Sequence, residues 1–208
     1  MVTLSRRNDL LLVAAILAPL VYFAAQAVAA PYFPNYSIYT TTASALGSDL
    51  STRPGILNAG AFLTGVMAAM GSLGIAGSLP RLGTGKIIAY VLAICLLSAG
   101  LASFWASQHP LPDPRHNPGA LGFGMFLMPF ISVLAAWRLR APKTALVFFL
   151  LNALAFIACG AVMSGASSID LPAFGGLVQK LIAATSWAST AGVAMTAIWR
   201  ARQPEQSS

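Results

Sequence analysis

Long apolar runs alternate along the chain with short segments that hold nearly all of its charge. The runs cover residues 10–31, 56–79, 87–108, 119–137, 144–164 and 177–199, and Lys180, near the start of the last, is the one charged residue inside them. A helix needs about 20 apolar residues to cross a hydrocarbon layer roughly 30 Å thick, so the pattern predicts six transmembrane helices. The breaks hold residues that end helices: Pro31 and Pro34; Pro80 and Arg81; Pro110, Pro112, Pro114 and Pro118; the basic stretch 138–143; and Pro172 before Gly175 and Gly176. The fold class read from this is all-α, a polytopic bundle of six helices forming a single transmembrane domain over residues 1–208.

Composition agrees. The chain is 57% hydrophobic and 8% charged, against roughly a quarter charged in an average soluble domain. That excludes an ordinary soluble fold, and it excludes disorder, which combines low hydrophobicity with high net charge. The net charge of +7 does not point to nucleic acid, because no basic stripe is long enough to follow a phosphate backbone. Topology accounts for it instead. Arg6, Arg7, Arg81, Lys86, Arg138, Arg140, Lys143, Arg200 and Arg202 fall in the termini and the two short loops, and only Arg53, Arg115 and Lys180 fall in or beside the three longer loops. The positive-inside rule then puts both termini in the cytoplasm and the longer loops outside, as expected of a multi-pass protein of the cytoplasmic (inner) membrane with membrane lipids as partners.

Arg6 and Arg7, the apolar stretch and the small residues before Pro31 together resemble a secretory signal peptide. The stretch from Leu10 to Ala30 exceeds a signal's usual 7 to 15 apolar residues and Pro31 follows directly, so the segment is read as a retained first helix. Gly60, Gly65, Gly71, Gly74 and Gly77 in the second helix, with the small-xxx-small pairs Ala61/Gly65 and Gly74/Ser78, suggest close packing and a central place for that helix. Gly160/Ser164 repeats the spacing in the fifth. Trp105, Trp137 and Trp199 fall at helix ends, where interfacial anchors sit, and Trp187 lies deeper. Cys95 and Cys159 fall mid-helix and read as small apolar residues.

Polarity concentrates in the longer loops. The first, residues 32–55, carries Tyr32, Phe33, Tyr36, Tyr39, Ser44, Asp49 and Arg53, and its aromatic residues predict a loop packed on the bundle. The second, residues 109–118, holds both histidines, His109 and His116, with Asp113 and Arg115. The third carries Ser164, Ser167, Ser168 and Asp170 and leads to Gln179 and Lys180. One Asp and one base per loop suggests surface ion pairing. A sharper reading places His109, His116, Asp49 and Asp113 about one outward-facing cavity, as an acid/base site or, with a third ligand, a metal site. No cofactor is otherwise expected. Within the spans the strongly polar residues are Gln26, Asn58 and Asn152, which favour bonds across helices; Gln26 and Asn58 lie below the first loop and are candidates, with Ser44 and Arg53, for lining a pocket. The absence of ionisable residues at depth argues against a proton-coupled transporter.

Tyr36-Ser37 followed by Ser44-Ala45-Leu46-Gly47, Asn58 opening the second helix, and His109-Pro110 with His116 between the third and fourth helices resemble the bacterial domain-of-unknown-function 998 family of small six-helix membrane proteins. The resemblance spans nearly the whole chain and implies a fold but no activity. Layout and loops are also distantly similar to a eukaryotic six-helix family with members that remodel lipid anchors or modulate autophagy, which implies lipid-related work only by analogy. The first expectation is therefore a protein that binds or organises lipid, or a protein partner of undefined identity, through its outer loops. The alternatives are a lipid-modifying enzyme using His109, His116 and the aspartates, and, last, a small-molecule transporter.

Overall fold

Each apolar run becomes a helix because a chain in lipid must satisfy its backbone N–H and C=O groups internally. A computed structural model describes residues 4–203 and contains α1 (Arg6–Ala29), α2 (Gly55–Ser78), α3 (Lys86–Gln108), the single turn α4 (Pro118–Leu121), α5 (Gly124–Arg138), α6 (Lys143–Met163) and α7 (Leu171–Ala201), with 3-10 turns at Ala30–Tyr32 and Ser44–Gly47. There is no strand among the described residues. Six helical segments are long and apolar enough to cross a membrane, the fourth being Pro118–Arg138, which joins α4 and α5.

Neighbours in space follow the chain. α1 packs on α2, α2 on α3, α3 on α5, α5 on α6 and α6 on α7; α7 closes the ring against α1 and also meets α5. The second helix is therefore not central: it is flanked by α1 and α3, while α7 is the most buried span and α6 the least. The glycines of α2 do serve close approach. A Cβ built at Gly71 would stand 2.7 to 2.9 Å from the Cβ, Cα and N of Ala15 in α1, and one built at Gly65 would stand 2.8 Å from the Gly100 carbonyl oxygen in α3. Gly160 faces open space, so the small-residue spacing in α6 serves no close approach among the described residues. Asn152 ties α6 to α7, its Nδ2 donating to the Thr185 carbonyl and to Ser189 Oγ, each at 2.7 Å, beside the buried Phe149 and Phe156. Trp187 is 1% exposed at the centre, and Trp105, Trp137 and Trp199 lie at exposed helix ends.

Three boundaries differ from the sequence reading. α1 begins four residues early because Ser5 caps it, accepting from the Asn8 N–H at 3.3 Å. α7 begins six residues early because Pro172 sits in its first turn, where a missing N–H costs nothing. Gly175 and Gly176 are then helical, and Gly176 lets the Thr40–Thr41 backbone lie against the helix. The fourth span breaks at Gly122 and Phe123, where Ser98 of α3 donates to the Leu121 carbonyl and accepts from the Gly124 N–H at 3.0 Å.

α5 ends in a Schellman closure, with the Arg140 N–H on the Trp137 carbonyl and the Ala141 N–H on the Ala136 carbonyl, both at 3.0 Å. Arg140 occupies the left-handed position with φ of 53°, which glycine usually takes.

Candidate functional site

The ring leaves a cavity of ≈ 250 Å³ at the end of the bundle that carries the long loops. Its walls are mostly apolar: Leu57 and Ala61 of α2, Ala102 and Ala106 of α3, Met125 and Phe126 of α5, and Ile182, Ala183 and Trp187 of α7. Tyr22, Ser44, Asn58, Ser103, His116 and Gln179 add polar atoms. Several helices converge here, and Ala43, Ser44, Pro110 and His116 of the first two loops complete the wall.

Two of these polar side chains tie the first loop to the bundle, and a third closes the second loop on itself. Asn58 Nδ2 donates to the Gly47 carbonyl at 3.0 Å, Gln179 Oε1 accepts from the Ala43 N–H at 2.9 Å, and His116 Nδ1 lies 2.6 Å from the His109 carbonyl. Only an N–H can bond that carbonyl, so Nδ1 carries the proton and, in the neutral ring, Nε2 is the acceptor. Each tie uses one polar atom; Asn58 Oδ1, Gln179 Nε2 and His116 Nε2 have no hydrogen-bond partner among the described residues. The buried indole Nε1 of Trp187 is likewise unpartnered.

The first loop packs on the bundle, as its aromatic residues suggested. The Leu177 N–H donates to the Tyr39 carbonyl at 2.9 Å, and the Lys180 ammonium donates to the carbonyls of Thr41, Gly176 at 3.2 Å and Ile38 at 3.4 Å, 6.0 Å from the Tyr36 ring centre. At the loop's other end Thr52 donates through its N–H and Oγ1 to the Tyr32 carbonyl, each at 2.9 Å, while Arg53 stands 5.0 Å from the Tyr32 ring centre. The Asp49 N–H reaches the Leu111 carbonyl at 3.3 Å and joins the two loops.

The second loop is built around Asp113. Its carboxylate accepts the Arg115 backbone N–H at 2.8 Å and both arms of the guanidinium, Nε at 3.0 Å and Nη2 at 2.7 Å, and stands 3.4 Å from His109 Nδ1. The guanidinium and these hydrogen bonds hold the carboxyl well below the usual carboxylate range and push Arg115 upward in turn. Trp105 donates its indole N–H to the Arg115 carbonyl at 2.9 Å and packs against the His109 ring at a centroid distance of 4.3 Å. His109 and Asp113 thus belong to a surface cluster that shapes the loop.

Of the sequence candidates, Ser44, Asn58 and His116 line the cavity; His109, Asp113, Asp49 and Arg53 do not. Gln26 is buried in α1 outside the lining, its Nε2 on the Tyr22 carbonyl at 3.4 Å and its Oε1 unpartnered. No three His, Cys, Asp or Glu side chains among the described residues gather as metal ligands. The expected one-to-one ion pairing is found, among the described residues, only in the second loop; Lys180 caps carbonyls rather than Asp170. The sequence reading passed over Tyr22, Ser103, Gln179 and Trp187 as wall residues. Gln179, a strong polar group on a spanning helix, was the one signal available.

Searches of curated proteins and of solved structures found no significant match. A family model described as Protein of unknown function (DUF998) matches residues 16–196. That stretch runs from α1 to the last turns of α7 and takes in every residue of the cavity wall, and on this match the chain belongs to the DUF998 family.

Proposed function

We propose that this multi-pass protein lies in the cytoplasmic membrane with its long loops facing away from the cytoplasm, and that the cavity beneath them takes up the apolar part of a small amphipathic membrane molecule. The cavity itself carries the reading: ≈ 250 Å³ of mostly apolar wall with a few polar side chains whose second polar atom has no hydrogen-bond partner among the described residues. Apolar cavities of about 150 Å³ stay dry and accept benzene, so this one has room for a short acyl or prenyl segment rather than a whole lipid. Asn58 Oδ1, Gln179 Nε2 and His116 Nε2 offer a polar group one or two hydrogen bonds, which is how sparse polar atoms orient a ligand in an apolar pocket.

The test is photo-crosslinking with diazirine-bearing acyl and prenyl probes in membranes, followed by peptide mapping. The expected result is labelling at Met125, Phe126 and Ile182 that Ala183→Trp abolishes by filling the space. Labelling spread evenly over the lipid-facing helices, or unchanged by Ala183→Trp, would remove the proposal. Orientation has its own test: a reporter active only in the cytoplasm, fused after Lys143, gives signal, and the same reporter after His116 gives none.

A second reading, a lipid-modifying enzyme, is favoured by one observation. His116 is the one imidazole on the cavity wall, and its Nδ1 is fixed by a carbonyl in the manner that orients a general base. Turnover of an ester-linked or phosphate-linked lipid by the purified protein, lost in His116→Gln while probe labelling persists, would establish it.

A further inference from the structure

The opposite end of the molecule holds a second concavity that the cavity at the loop end does not explain. Its cleft, ≈ 540 Å³, is lined by Leu82, Gly83, Trp137, Arg138, Arg140 and Arg200. Three separate elements bring these residues together: the α2–α3 turn, the end of α5 with the turn that follows it, and the last turn of α7. Of its charged groups all three are guanidinium, and among the described residues none has a carboxylate within ion-pair distance.

Charge at this end is uncompensated on a larger scale too. Arg53, Arg115 and Lys180 at the loop end are balanced by Asp49, Asp113 and Asp170, so the whole net charge of +7 resides in the terminal segments and short loops. Helix dipoles account for Arg138 and Arg200, which stand in last turns where a cation is favoured. They do not account for Arg140, which lies beyond the helix in a left-handed conformation that disfavours it over glycine. Arg140 nevertheless lines the cleft with the other two. Trp137, 63% exposed beside the cleft, and Trp199, 38% exposed, mark this level as the membrane interface.

We propose that this cleft binds the phosphate of an anionic lipid headgroup, held by Arg138, Arg140 and Arg200, with Trp137 against the lipid's glycerol and upper chains. Guanidinium forks match phosphate oxygens in charge and geometry, and basic pockets between spanning helices are suited to anionic headgroups. The site is independent of the loop-end cavity, and either proposal can fail alone.

The experiment compares the full-length protein in detergent with two triple variants, reading lipid adducts by native mass spectrometry against phosphatidylglycerol, cardiolipin and phosphatidylcholine. One variant is Arg138→Gln with Arg140→Gln and Arg200→Gln; the other removes equal charge at the same end outside the cleft, Arg6→Gln with Arg7→Gln and Arg81→Gln. The expected result is retention of phosphatidylglycerol or cardiolipin over phosphatidylcholine, reduced at least about tenfold more by the cleft triple than by the control triple. Equal losses in the two triples, or no lipid preference, overturn the proposal by reducing it to general surface attraction. Millimolar inorganic phosphate and glycerol phosphate separate the sources: failure to displace the lipid supports a headgroup site, and complete displacement overturns it in favour of a free phosphate. Arg140→Gly guards against misfolding, since it relieves the left-handed backbone; it should fold at least as well as the parent yet lose part of the lipid preference, and full retention of that preference overturns the role given to Arg140.

Discussion

Two glycine-to-alanine substitutions in different helices should leave the protein with different stabilities, and the difference rests on what lies beside each glycine. At Gly71 a new Cβ meets Ala15 Cβ at 2.7 Å, Cα at 2.8 Å and N at 2.9 Å. Two of those three atoms are backbone of α1, so no rotamer change relieves them. Carbon atoms sit comfortably at about 3.5–4.0 Å, and α1 and α2 must therefore part locally by about 1 Å. Overpacking of this kind costs about 1–3 kcal/mol, offset by about 1 kcal/mol from alanine's better helix propensity. Gly71→Ala is then neutral to about 2 kcal/mol less stable than the parent, from those two terms. At Gly160 nothing lies within 4 Å of the new Cβ, and only the propensity term acts, a gain of up to about 1 kcal/mol. The two variants differ by the overpacking term, and at about 2–4 °C per kcal/mol for a chain of this size their melting temperatures separate by several degrees. Thermal unfolding in detergent, followed by fluorescence-detected size exclusion, measures this directly. Adding Ala15→Gly to Gly71→Ala should restore only part of the loss, since the Cα and N of residue 15 stay in place. Equal melting temperatures for Gly71→Ala and Gly160→Ala would refute the backbone-contact argument, and with it the close approach of α1 and α2.

Other expectations are narrower. Asn152→Leu removes two bonds from α6 to α7, which at about 0.6–2 kcal/mol for interhelical polar contacts in lipid should lower the melting temperature and raise proteolysis at the α6 end loops; Asn152→Gln should recover part of the loss, and unchanged stability in Asn152→Leu would show that α6 is held by packing alone. The second loop has a defined acid limit. Because Asp113 is depressed in the folded protein, its contribution is complete above the unfolded carboxyl value of about 3.9 and is lost only as pH falls through the lower folded value. Exchange protection of the Arg115 amide should thus be the same at pH 7 and pH 5, after correction for the intrinsic rate, and should be lost at both in Asp113→Ala, which removes the acceptor. Lys180→Met removes an ammonium that ties three carbonyls of the first loop and α7, and should increase cleavage within residues 35–50 in limited proteolysis; a loop equally resistant without the ammonium would assign its order to the aromatic contacts instead.

The sequence by itself determined the helix count, the approximate spans and the charge asymmetry between the two ends. Those follow from a local cause: each span must be apolar over a fixed length, and each break must hold Pro, Gly or charge. Even the polar positions that mattered were partly legible, since Asn58 and Asn152 stand out in apolar runs and both form cross-element bonds. Local rules misled where a residue's meaning depends on its neighbours in space. Pro172 and Gly176 read as loop punctuation, yet one starts α7 and the other makes room for the Thr40–Thr41 backbone. His109 and His116 read as a pair because both lie in one short loop. The turn built by Asp113 and Arg115 sends one to the surface cluster and the other to the cavity wall, and no spacing encodes that. Only the tertiary structure decided which helix is buried most, because burial depends on how the ring closes: α7 meets α1, α5 and α6, while the glycine-rich α2 is flanked by α1 and α3. The same closure brings Ala61, Met125, Ala183 and Trp187 from three helices to one wall, and Arg138, Arg140 and Arg200 from two chain segments to one cleft. No spacing within one segment encodes these meetings, and their convergence is a property of the packed bundle alone.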